Sequence, residues 1–235
     1  MGLFKFRKYE DVSAKESLLS SHSSRTYREA YRTLSANIEQ VANEKKMKNL
    51  MITSAIGNEG KSTVGINLAL AFANQGLKIL LINADWRNKK FNKFFNIPTD
   101  KKGFYNIFND LSNFESSIFH DKNTKVDLLH SGIKRRSNIS ITKTKAFYNF
   151  LEEKYDLLIT ISPTVNAYAD AVILAQCVDG VLLTVKQNGA TSQEVFDAID
   201  ELRLAGANII GTVFTHCDSM KRSAILKKYN RLYVN

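Results

Sequence analysis

Residues 49–73 constrain the chain more than any other stretch. An apolar run, Asn49-Leu50-Met51-Ile52-Thr53-Ser54, passes through Ala55-Ile56-Gly57-Asn58-Glu59-Gly60-Lys61-Ser62-Thr63 into a second apolar run, Val64 to Ala73. This reads as strand, Gly-containing loop, Gly-Lys-Ser, helix. Loop N–H groups and a helix N-terminus together make a cradle for phosphate oxygens. Gly60 lets the backbone approach closely. Lys61 places a point charge on β- and γ-phosphates, and the Ser62 hydroxyl can ligate Mg²⁺. Ala55 stands where G-x-x-x-x-G-K-[ST] has its first glycine, so the loop is a variant. The expected nucleotide-binding set is Gly57, Asn58, Glu59, Gly60, Lys61, Ser62 and Thr63, with ATP and Mg²⁺ as cofactors.

Such a loop needs a sheet behind it, and the rest of the chain supplies one. Further apolar segments without polar alternation lie at 78–83, 126–130, 156–162, 180–186 and 208–214. That pattern suits strands covered on both faces. Helical patterns fall between them, at 61–75, 142–154, 167–176 and 192–205, and a further helix is expected at 25–46. Alternating β and α elements predict an α/β fold: a doubly wound, mostly parallel sheet with helices on both faces. The 235 residues suffice for one such domain at 25–218. A polar, Ser-rich arm at 1–24 is expected to be mobile, and a basic tail follows at 219–235.

The second strand runs into Asn83-Ala84-Asp85-Trp86-Arg87. Strand C-termini face the ligand crevice in this architecture. Asp85 and Arg87 are therefore expected beside the phosphate loop. Lys61, Asp85 and Arg87 are the candidate catalytic residues, and Ser62 and Asp85 the candidate metal residues.

A net charge of +10 leaves nucleic acid, an anionic membrane face or acidic partners open. No apolar run approaches the roughly 18 residues of a membrane span. Two distant cysteines form no disulfide framework, so a reduced, cytosolic setting is expected.

Taken in order, these segments resemble the bacterial tyrosine kinase family of capsule and exopolysaccharide synthesis, which is related to the partition and septum-site ATPases. The resemblance spans roughly residues 25–218. It rests on Y-R-E-A-Y-R-T-L-S-A-N-I at 27–38, T-S-A-I-G-N-E-G-K-S-T-V-G-I-N at 53–67, 79–87, 155–163, Ala169-Asp170-Ala171 and Val178-Asp179-Gly180-Val181-Leu182-Leu183. It implies a P-loop protein that binds ATP·Mg and phosphorylates tyrosines in its own tail. It also implies activation by a cytoplasmic segment of a transmembrane chain-length regulator, and assembly as a homo-oligomer or with an intact kinase. The expected location is the cytoplasm, peripheral to the inner membrane face, with nucleic acid disfavoured as a partner. Tyr229 and Tyr233 are the candidate autophosphorylation sites, and Glu29 and Arg32 the candidate subunit contact.

The departures cluster at the chemistry. The family's D-x-D-x-R reads Asn83-Ala84-Asp85-Trp86-Arg87, an amide replacing the first acid. The strand ending in Asp-Thr-Pro-Pro reads Ile161-Ser162-Pro163-Thr164, so the metal-organising acid is Ile161. Asp156 belongs to the start of that strand and is no substitute. The helix motif E-x-x-R-x-x-R ends in Ser35, and Thr215 stands where the family carries an adenine-reading Asn. Three readings follow: a tyrosine autokinase with impaired catalysis, a nucleotide-binding regulator with little or no transfer, and a partition-type ATPase.

Overall fold

The computed structural model describes residues 18–20, 23–87, 90–97, 102–107, 111–121, 124–132 and 139–216. Cys217, the tail, Tyr229 and Tyr233 lie outside the described residues, as do 1–17 of the arm. Among the described residues the strands are β1 (Asn49–Ser54), β2 (Ile79–Asn83), β3 (Phe119–His120), β4 (Asp127–Leu129), β5 (Leu157–Ile161), β6 (Gly180–Lys186) and β7 (Ile209–Thr215). They form one sheet in the order β3-β4-β2-β5-β1-β6-β7. Every pairing is parallel except β3 with β4.

The helices are α1 (Arg25–Lys45), α2 (Lys61–Asn74), α3 (Lys90–Phe95), α4 (Phe104–Ile107), α5 (Phe114–Ser117), α6 (Ile141–Glu152), α7 (Ala169–Ala175) and α8 (Ser192–Leu204). β1, β2 and β5 are buried at every position, which explains their lack of polar alternation. Successive strand residues feed opposite faces. Ile52, Leu81, Ile159 and Ile161 pack with α1–α3, through Ile38, Leu68 and Phe91. Met51, Leu80 and Leu158 pack with α6–α8, through Phe147, Leu174 and Leu202.

Helix starts follow local chemistry. Ser24 caps α1 by accepting from the Tyr27 N–H at 3.2 Å. Thr191 and Glu194 form a reciprocal capping box at α8. Hydrogen bonds from Thr191 hold the Glu194 carboxyl below its ordinary range. α2 differs: its N-cap is Gly60, and no side chain caps it.

One expectation changes. The end of the arm read as mobile over 1–24 is docked: the Leu19 N–H donates to Asn67 Oδ1 at 2.7 Å, and Leu18 and Leu19 lie against the α2-side core. Asn67 also donates to the Tyr27 hydroxyl at 2.7 Å, so one buried amide of α2 anchors both arm and α1. Between 88 and 125, where the sequence pattern assigned no element, the described residues hold α3–α5 and the antiparallel edge strand β3.

Candidate functional site

β1 ends at Ser54 and α2 starts at Lys61, so the intervening loop lies at the C-terminal edge of the sheet. β1 sits between β5 and β6, where connections leave in opposite directions. Asn58 and Gly60 both have positive φ, 62° and 90°. The positive φ of Gly60 strains any larger residue, and a Cβ there would also crowd the Thr215 methyl carbon at 3.1 Å.

Lys61 is buried, and its Nζ donates to Ser54 Oγ at 3.0 Å. Ser54 in turn donates to the Ile56 carbonyl at 2.6 Å. Burial pushes the Lys61 ammonium below its ordinary range, opposed by the Asp85 and Glu59 carboxylates. Asp85 is the reciprocal case: burial raises its carboxyl, and Lys61 and Arg87 oppose the rise. Lys61, Asp85 and Arg87 are thus brought together. Ser62 is also buried at this helix start.

The Glu59 side chain ties the loop to the neighbouring strand β6 and the turn after it. The carboxylate is 1% exposed and accepts from the backbone N–H groups of Lys186 and Ala190, the latter at 3.1 Å. A Cβ on Gly189 would lie 2.1 Å from Glu59 Oε1, so only glycine admits this approach. The Thr215 hydroxyl donates to the Glu59 carbonyl at 3.1 Å. The phosphate loop is therefore strapped to the β6–α8 turn and to the end of β7. Charge-assisted bonds contribute roughly 1.5–3 kcal/mol each. Glu59→Ala is accordingly expected to lower unfolding free energy by about 3 kcal/mol in urea titration. A loss below about 0.5 kcal/mol would show the strap to be idle.

Asn83 and Ile161, the two departures from the acidic pattern, are register partners across β2 and β5. By alternation both lie on the α2 side of the sheet. Ile161 is fully buried, and a Cβ on Gly65 of α2 would lie 2.8 Å from its Cγ1 and 3.4 Å from Ile52 Cδ1. The Ile161 side chain fills the space that Gly65 leaves, within the α2-side core. Asn83 Oδ1 accepts from the Asp85 N–H at 3.0 Å, and Asp85 Oδ1 accepts from the Arg87 N–H at 3.3 Å.

A tightly held Mg²⁺ asks for several oxygens in near-octahedral array. Ser62 and Asp85 supply two side-chain oxygens here, and β5 supplies hydrocarbon. The strand ends at Asn83 and Ile161 thus lack the acids that would organise such an ion's water shell. Asp156 accepts from the Lys78 N–H at 2.7 Å at the opposite end of the sheet, as the strand alignment requires.

Several neighbours were not visible in the sequence pattern. The Arg87 guanidinium lies 3.5 Å over the Tyr168 ring and 4.4 Å from Trp86, which is partly exposed. The Tyr105 hydroxyl lies 2.8 Å from the Ala84 carbonyl and 3.3 Å from Asp170 Oδ2. Burial, then the Asp170 carboxylate, holds this phenol far above its ordinary range. Asp170 falls in the Ala-Asp-Ala segment of the resemblance, and that was the available signal.

Glu29 and Arg32 form an exposed pair on α1, 3.6 Å apart. Ser35 instead points inward: fully buried, it donates to the Arg32 carbonyl at 3.0 Å and accepts from Gln75 at 3.3 Å. Thr215 closes over Gly60, as described above.

Comparison with known proteins adds the following. A family model described as an AAA domain matches residues 47–204. Tyrosine-protein kinase YwqD of Bacillus subtilis is 31% identical over 79% of this chain and 79% of its own length. The kinase domain of Escherichia coli tyrosine kinase ETK superposes with a TM-score of 0.74 at 25% identity, covering 81% of this chain and 77% of that one. The chimerical protein CapA2B2 gives 0.75 at 26%, covering 84% and 88%. The MinD cell division protein of Aquifex aeolicus shares the fold alone, at 21% identity, a TM-score of 0.62 and 78% coverage of each chain.

Proposed function

The chain belongs to the bacterial tyrosine-protein kinase family of capsule and exopolysaccharide synthesis, and from that premise we propose that it binds ATP but transfers phosphate poorly, acting as a nucleotide-dependent regulator. One observation carries the reading. The phosphate loop keeps Gly60, Lys61 and Ser62 at the start of α2, while the register pair Asn83–Ile161 beside it carries no charge. The loop amides from Gly57 to Thr63 would cradle the polyphosphate, Lys61 would neutralise it, and Ser62 would close the helix end. Asp85 and Arg87 would orient the terminal phosphate. Phosphoryl transfer rests on positioning and charge stabilisation, much of it from metal. A site with one strand-end acid positions the anion without the second charge that organises attack.

The partner on this reading is a transmembrane chain-length regulator, met at the inner membrane face. No helix among the described residues is long and apolar enough to cross a membrane. The exposed Glu29 and Arg32 suit a contact between subunits, and Tyr229 and Tyr233 are the tail acceptors. Retention of Lys61, Asp85 and Arg87 favours a second reading, a slow autokinase. A partition-type ATPase would need the same missing acids.

Binding is tested by thermal unfolding with ATP. At about 100 times the dissociation constant, ligand adds ~2.7 kcal/mol. For a domain of this size that is a rise of about 5–10 °C. Lys61→Met is expected to remove the shift. No shift in the unmutated chain at millimolar ATP would overturn the proposal.

A further inference from the structure

The buried side-chain atoms of the 83–87 segment that lack a hydrogen-bond partner among the described residues are both donors. Asn83 is 1% exposed, its oxygen is taken by the Asp85 N–H, and its Nδ2 has no hydrogen-bond partner among the described residues. Arg87 Nη1 is likewise buried and without a hydrogen-bond partner among them. Both atoms are donors, and Lys61 beside them is a third. The carboxylate at hand, Asp85, already has Lys61 and Arg87 as electrostatic neighbours. The adjacent strand end is Ile161, seated against Gly65.

Donors and cations suit phosphate oxygens and repel a divalent ion. A cation's water shell needs acceptors, and at positions 83 and 161 it would meet an amide N–H and methyl groups instead. Replacing Asp by Asn changes an acceptor-only group into one that can donate to phosphate directly. We infer that this site takes its nucleoside di- or triphosphate as the bare anion, with Asn83 Nδ2, Arg87 and Lys61 doing the neutralising that Mg²⁺ would otherwise do. This rests on the nucleotide-binding reading above and specifies its ligand. Occupancy then follows nucleotide concentration and ignores the free Mg²⁺ level.

The test is isothermal titration of the full chain with ATP and with ADP, once in excess Mg²⁺ and once in EDTA at matched ionic strength. The two affinities are expected to agree within about threefold, less than ~0.7 kcal/mol. A strengthening of about tenfold or more by Mg²⁺ overturns this inference and leaves nucleotide binding standing. Absence of binding in both buffers overturns the nucleotide reading and this inference with it. Asn83→Asp, nearly isosteric, provides the second arm. It is expected to weaken binding in EDTA by about tenfold and to let Mg²⁺ restore it. Unchanged affinity of Asn83→Asp in EDTA contradicts a direct role for the amide.

Discussion

Ile161→Asp is expected to lower the unfolding free energy by about 3–5 kcal/mol, the cost of an uncompensated buried charge. Ile161 is fully buried among Gly65, Ile52 and the α2-side core, so water cannot reach the new carboxylate. Its register neighbour Asn83 presents an amide, and no cation adjoins it on β5. Burial raises the carboxyl above its unfolded value of ~3.9. The penalty is therefore largest at neutral pH and shrinks as pH falls and the group protonates in the folded state. Urea unfolding at pH 7 and pH 4.5 measures both. A loss below about 1 kcal/mol, or recovery in millimolar Mg²⁺, would mean that the strand end opens onto a hydrated, cation-holding crevice. Restoring an acid here is thus no simple reversal, because Gly65 and Ile161 are packed as a small–large pair.

The sheet was legible in the sequence because its strands are continuous apolar runs of five to seven residues at β1, β2, β5, β6 and β7. Their ends fall within about one residue of the expected ones, a margin inside ordinary boundary scatter. The 88–125 stretch was illegible because its described helices span four to six residues, too short to display a 3.6-residue period. Lys61 and Ser62 were legible for a different reason: a helix start and its loop are contiguous in sequence. The Glu59 strap was not, since its acceptors' partners lie 127 and 131 residues away. Nothing in Gly189 alone announces that a carboxylate will approach it to within a Cβ's radius. Asn83 and Ile161 were each visible as departures, but 78 positions separate them in sequence. Only the β2–β5 register makes them one site.

Transfer of phosphate from ATP to the chain's own tyrosines is expected to be slower than effective catalysis by a factor of about 10²–10⁴, the range lost with one acid–base group. Two strand-end positions that could carry charge, Asn83 and Ile161, carry none, so the larger end of that range applies. Lys61→Met sets the background, since it removes the phosphate-loop charge and leaves the tail tyrosines in place. The measurement is single-turnover incorporation of labelled phosphate from saturating ATP and Mg²⁺. The chain-length regulator's cytoplasmic segment is present throughout. The account requires nucleotide to be bound, while label on the unmutated chain stays near the Lys61→Met background. Rapid, Lys61-dependent labelling of Tyr229 or Tyr233 would contradict it.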